Sequence, residues 1–147
     1  MLTDAMIQAI QSGDLFPLAT ASWEGVPNVV PVKYLGVMDR HRLWITDNYL
    51  SKTCQNLEEN PWVAVYVISQ DPKACWQIKG SVTSHREGEM YQTMRERVLK
   101  INADLPARAL LLLDVEAIYD CMPGEGAGQL IWQSSSFGPQ SCVSDGR

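Results

Sequence analysis

The stretch with the most chemical promise runs Ile45-Thr46-Asp47-Asn48-Tyr49-Leu50-Ser51-Lys52-Thr53. It leaves an apolar strand pattern, turns through polar residues and enters a helical pattern at Ser51-Lys52-Thr53. A helix start leaves backbone N–H groups unpaired and carries a partial positive charge, the two things a phosphate needs. Lys52 adds a full charge there, and the hydroxyls of Ser51 and Thr53 add donors. A cation in a first helical turn opposes the helix dipole, so Lys52 points to an anion. A capping serine followed by a solvated lysine has the same spacing, and spacing alone does not separate the two. Two or three charge-assisted bonds of about 1.5–3 kcal/mol each fall short of the roughly 12 kcal/mol of nanomolar binding. A tightly held phosphate ligand must therefore bury a flat apolar part as well.

A second candidate is Asn28-Val29-Val30-Pro31-Val32-Lys33. Its backbone suits the polar edge of a flat heterocycle and Lys33 offers a further cation; an edge strand ending in a surface lysine reads the same way. Other chemistry finds little support. His41 falls in a turn and His85 at a strand end, with no nucleophile motif beside either, so both are expected to face solvent and no catalytic residue is assigned. Cys54, Cys75, Cys121 and Cys142 stand singly, without the spacing of a zinc site; Cys54 and Cys75 read as buried thiols. Gly124-Glu125-Gly126-Ala127-Gly128 fails as a dinucleotide loop, because Gln129 takes the third glycine position and too little chain follows.

The elements that must position these residues follow from periodicity. Thr3 caps a helix with Asp4 in its first turn and Leu2, Met6 and Ile10 on one face, stopped by Gly13. Strands are expected over 15–23 and 26–37, the latter confined to an edge or bulge by Pro27 and Pro31. A third covers Leu43 to Thr46, and a short helix from Ser51 turns Cys54 and Leu57 inward and closes at Asn60-Pro61. The valine-rich run Trp62 to Ile68 suits a strand buried on both faces. A strand over 74–85 carries Trp76, Ile78, Gly80 and Val82 on one face, and a helix over 87–102 turns Met90, Met94, Val98 and Ile101 inward. The last long strand spans 109–121, and about 122–147 reads as a tail that is either disordered or a lid carrying Trp132. Six strands joined mostly by short turns, with helices at ends and edges, describe a mainly β protein forming a closed or partly closed barrel.

The whole chain of 147 residues makes one domain. A net charge of −5 disfavours nucleic acid, no segment reaches membrane-spanning length, and residues 1–12 lack a secretory pattern, so a cytoplasmic protein is expected.

In order along the chain, Leu18-Ala19-Thr20, Glu24-Gly25-Val26-Pro27, Val30-Pro31-Val32, Leu43-Trp44-Ile45-Thr46, Ser51-Lys52-Thr53, Asn60-Pro61-Trp62-Val63-Ala64 and Ile78-Lys79-Gly80-Ser81-Val82 resemble the FMN-binding split-barrel proteins related to pyridoxamine-phosphate oxidase. The resemblance covers about residues 14–90 and extends to the strand near 109–121. It implies a six-stranded split β-barrel with flanking helices and an FMN held between the subunits of a homodimer. It further implies an isoalloxazine ring beside Asn28, Val30, Pro31, Val32 and Lys33, with Ile45 and Thr46 near the ring or ribityl chain. The phosphate falls to Ser51, Lys52 and Thr53, and Gln77 is a further flavin contact. Ser51 stands where the oxidases carry an arginine, and Ser134 to Pro139 replaces their basic, histidine-containing end. The resemblance therefore implies a short FMN-binding protein or flavin reductase acting with a small-molecule redox partner, rather than an oxidase of pyridoxamine phosphate. A deazaflavin, a haem, or binding without turnover is the alternative.

Overall fold

The computed structural model describes residues 1–138, so Cys142, Arg147 and the rest of the expected tail beyond 138 lie outside the described residues. Three helices and eight strands follow in the order α1 (Asp4–Ser12), β1 (Phe16–Ala21), β2 (Pro27–Val32), β3 (Leu35–Asp39), β4 (Arg42–Asp47), α2 (Lys52–Glu59), β5 (Trp62–Gln70), β6 (Lys73–His85), α3 (Glu89–Ile101), β7 (Ala109–Asp120) and β8 (Leu130–Gln133). The sheet path is β2-β1-β5-β6-β7-β4-β3, with β8 added to β7, and every pairing is antiparallel. Its two end strands, β2 and β3, are consecutive in sequence yet do not pair, so the sheet rolls around one core and stays split at that seam. Leu18, Val32, Ile45, Val65, Ile78, Leu113 and Ile118 meet inside it.

Two strands exceed the six expected. Lys33-Tyr34 divides the 26–37 run into β2 and β3, with the Tyr34 carbonyl accepting from the Thr46 N–H at 3.0 Å. Within the expected tail, Leu130–Gln133 forms β8 after the 124–129 turn. Trp132 is consequently a sheet residue opposite Ile118, packed on the core and 5.6 Å from the His41 ring.

Thr3 caps the start of α1 as expected, its Oγ1 accepting from the Met6 N–H, and Leu2, Met6 and Ile10 are buried; the helix stops before Gly13, which is extended and not left-handed. In α3 the inward face is Tyr91, Met94 and Val98, whereas Met90 and Ile101 are exposed. A face built on 91, 94 and 98 leaves those two at its rim, a rotation that apolar spacing alone does not fix.

Strand β5 corrects another expectation. Val63, Val65 and Val67 are buried, but Trp62 and Ile68 are 44 % and 50 % exposed. Alternation sends one side chain in two away from the core, and no layer of the described chain lies over that outer face. Pro17, Val29 and Pro31 continue this apolar face across β1 and β2, and the Phe137 ring meets it edge-on at Trp62.

A bulge shapes the centre of the sheet. Lys79 pairs with Ala117 and Gly80 with Val115, which leaves Glu116 with no partner on β6. A Cβ at Gly80 would lie 2.0 Å from the Asp114 carbonyl oxygen, so only glycine fits there. The freed Glu116 carbonyl accepts from the Ser134 N–H at 2.8 Å, and its carboxylate accepts from the hydroxyls of Ser134 and Ser136. The extra residue thus anchors the chain just beyond β8.

Candidate functional site

A groove of about 440 Å³ opens beside the seam. One wall is Val30, Pro31, Val32, Lys33 and Tyr34; the other is Thr46, Asn48, Tyr49 and Leu50, with Leu105 at one end. Five expected site residues, Val30, Pro31, Val32, Lys33 and Thr46, therefore come together. The lining is largely apolar, and β2 is an edge strand, so one side of its backbone pairs with no other strand among the described residues.

Ser51 and Lys52 follow directly on Leu50. Ser51 is the residue before α2 but makes no capping bond, and both side chains are exposed. The first carbonyl bond of the helix is Gln55 N–H to the Ser51 oxygen at 3.1 Å. Among the described residues, no protein acceptor meets the N–H groups of Lys52, Thr53 or Cys54. The helix also has no acidic residue in its first turn. Its positive end is therefore uncompensated and open.

The other expected residues are placed differently. Thr53 has no exposed surface; its Oγ1 accepts from Asn28 Nδ2 at 3.2 Å. Asn28 Nδ2 also reaches Thr20 Oγ1 at 3.4 Å, and Asn56 Nδ2 donates to the same oxygen at 3.0 Å. Asn28 and Thr53 thus fasten α2 to β1 and β2. Thr46 lines the groove, but its hydroxyl is turned to Met94 Sδ at 2.9 Å. Ile45 is fully buried in the core, because on β4 its side chain points opposite to those of Trp44 and Thr46. Gln77 stands on the outer face of β6 between Tyr66 and Tyr119 and does not line the groove.

The turn that delivers Ser51 and Lys52 is held by residues the sequence reading did not select. Asp47, only 2 % exposed, accepts from the Leu50 N–H at 3.0 Å, from Cys54 Sγ at 3.4 Å and from Arg108 Nη2 at 2.9 Å. Arg108 also donates from Nη2 to the Leu50 carbonyl at 2.9 Å and from its N–H to the Asp47 carbonyl at 2.8 Å. Asn48 Oδ1 accepts from the Ala107 N–H at 3.0 Å. Burial and the Asp47 carboxylate push the Cys54 thiol up to about 11, leaving it a protonated donor rather than a nucleophile. The Asp47 hydrogen bond and charge raise Arg108 above its ordinary value. An Asp-Asn pair directly after a strand is a turn signal that marks 47 and 48; nothing local marks Arg108.

No three His, Cys, Asp or Glu side chains converge on a metal-sized site among the described residues. No described helix is long and apolar enough to cross a membrane. Both histidines lie outside the groove, His41 exposed and His85 half-buried.

Known proteins resemble this chain in sequence or in fold. An uncharacterised protein of Methanocaldococcus jannaschii is 32 % identical over 132 residues, covering 88 % of this chain and 87 % of its own. The crystal structure of HupZ from Group A Streptococcus superposes with a TM-score of 0.74 at 23 % identity, over 87 % of this chain and 100 % of that one. An FMN-binding protein from Syntrophomonas wolfei gives 0.70 at 16 %, over 79 % and 82 %. The fold also matches an F420 reductase (TM-score 0.62, 20 % identity, 80 % and 98 % covered) and the haem storage protein HutZ of Vibrio cholerae (0.58, 19 %, 77 % and 89 %). The sequence pattern of the pyridoxamine 5'-phosphate oxidase family runs through residues 2–122, taking in β2, the 47–50 turn, α2 and Arg108 alike. With most of its length so matched and a split antiparallel barrel as its fold, the chain belongs to the pyridoxamine 5'-phosphate oxidase family.

Proposed function

We propose that this protein binds FMN as a homodimer and acts as a flavin oxidoreductase or electron-transfer protein with a small-molecule redox partner. The observation that carries the reading is the open N-terminus of α2, with Ser51 and Lys52 unengaged, at the rim of an apolar groove. The residues fit the cofactor. A dianionic phosphate suits three free N–H groups and an ammonium, and a groove of about 440 Å³ is within the range of small-molecule sites. The apolar walls supply the burial that phosphate contacts alone lack. A bound flavin supplies the hydride or electron transfer. The chain's own residues bind and orient: Lys52 and Ser51 the phosphate, Val30 to Val32 and Lys33 the ring's edge.

The second copy covers the outer apolar face of β2, β1 and β5. Val29 is 65 % exposed there, and such a continuous apolar surface is unusual on a monomer. Free thiols at Cys54, Cys75 and Cys121 support a reducing, cytoplasmic setting. A deazaflavin or haem on the same fold is the second reading, favoured by the structural likeness to an F420 reductase and to a haem storage protein.

The test is the absorption spectrum of the gently purified protein, followed by titration of the stripped protein with FMN and riboflavin. A flavin spectrum is expected. Lys52→Ala should weaken FMN about 10- to 100-fold, as loss of one charge-assisted bond implies, and leave riboflavin within about twofold. Equal losses for both ligands, or a protein that ignores FMN, overturn the reading; a Soret band or a deazaflavin spectrum selects the second.

A further inference from the structure

Strands β6 and β7 carry a sulfur cluster that has no part in the groove. The Cys121 N–H donates to the Cys75 carbonyl at 3.0 Å, extending the β6–β7 ladder by one pair beyond Trp76 and Asp120. Residues directly opposite in an antiparallel ladder put their side chains on the same face, with Cβ atoms about 4.5–5.5 Å apart. The two thiols therefore stand side by side on one face of the sheet. Met122 follows immediately, and its Sδ lies 4.0 Å from Cys75 Sγ. Tyr66 on β5 completes the cluster, its hydroxyl donating to Cys75 Sγ at 2.9 Å. Cys75 is buried while Cys121 and Met122 are half-buried, which leaves one side of the cluster open to solvent. Neither cysteine is in a disulfide.

We propose that Cys75, Cys121 and Met122 form a site for one soft monovalent metal ion, copper(I) being the biological member of that class. Two thiols and a thioether, with no imidazole or free carboxylate among them, are a donor set that selects soft ions. The Asp120 carboxylate, the nearest hard donor in sequence, is already engaged by the Met122 N–H at 2.8 Å. Three sulfurs fall one short of the closed tetrahedral shell of structural zinc, whereas two or three suffice for a monovalent ion of low coordination number. Charge also balances. Binding releases both thiol protons to solvent, so two thiolates and one monocation leave a single negative charge. The Lys79 ammonium lies over the Tyr119 ring at 5.1 Å on the same face of the sheet. The Tyr66 hydroxyl can keep donating to the Cys75 sulfur once it is charged. Copper enters as copper(I) and leaves as copper(I), so no oxidant or reductant is consumed. The site is independent of the flavin reading, because none of its residues lines the groove.

The test is an anaerobic titration of the reduced protein with copper(I) buffered by a chromogenic chelator, read by native mass and by counting reactive thiols. One copper per chain is expected, with two thiols withdrawn from reaction and a sulfur-to-copper band in the near ultraviolet. Cys121→Ser, at a half-buried position, should lower copper affinity by about 100-fold or more and Met122→Leu by about 10-fold, in keeping with the loss of a principal and an auxiliary ligand. Cys142→Ala should bind copper as the parent does. The FMN and riboflavin affinities of all three variants should match the parent, which separates this result from any failure of the flavin assignment. A parent protein that cannot compete with the chelator overturns the proposal, as does Cys121→Ser binding as tightly as the parent, or a Cys75–Cys121 disulfide accounting for the missing thiols. Unfolding curves show whether each variant is folded. Should Cys75→Ser prove unstable, the half-buried pair of variants still decides.

Discussion

Two sets of polar groups lie within a few residues of one another around the start of α2. One set is wholly engaged within the chain: Asp47 with Arg108, Leu50 and Cys54, Asn48 with Ala107, and Thr53 with Asn28. The other, Ser51 and Lys52, is exposed and makes no such bond. The first set builds the turn; the second is what the turn presents. Proximity to a site in sequence therefore says little about role, and it is the unengaged donors that remain to hold a ligand.

That contrast breaks most visibly through Asp47. Replacing it with alanine removes the acceptor of three donors at once and should cost about 2–4 kcal/mol of stability, the upper range of single substitutions. Denaturant unfolding measures it, and a loss below about 1 kcal/mol would mean that water replaces the carboxylate without harm and that the turn holds itself. Thr53→Val keeps the side-chain shape but leaves the Asn28 amide short of one acceptor at a part-buried position. A loss of about 1–2 kcal/mol is expected by the same assay. Lys52→Ala sharpens the comparison from the other side: an exposed cation opposing its own helix dipole should change stability by no more than about 0.5 kcal/mol, in either direction. A large loss there would move Lys52 into the structural set and remove the case for a phosphate.

The sequence made local grammar legible. Thr3, with Leu2, Met6 and Ile10, specified α1 down to its cap, because caps and periodic faces are decided within a few residues. The strand-to-helix passage at 45–53 was readable for the same reason, as was the stop at Asn60-Pro61. What escaped depends on distant contact. Arg108 meets Asp47 across 61 residues, and no pattern around position 108 announces that pairing. Ser51 and Thr53 are both hydroxyl residues two positions apart, yet successive helical positions point in different directions, so one faces solvent and the other the sheet. The one-sided burial of the Trp62–Ile68 run is not legible in its residues, because an apolar strand face reads alike whether or not another layer covers it.

The bulge at Glu116 has a consequence for how such a chain can vary. Along β7, Leu113 and Val115 pair with Val82 and Gly80 on the inward face of β6, and after the extra residue it is Ile118 that meets Ile78. One amino acid therefore shifts the alternation by a half-period in mid-strand. Deleting Glu116 would turn Ile118 to the outside while β4 kept its partners on the other half of the same strand. Length changes by single residues should be tolerated in the 124–129 turn and selected against at 116, much as a single-base deletion matters inside a reading frame and not beyond it.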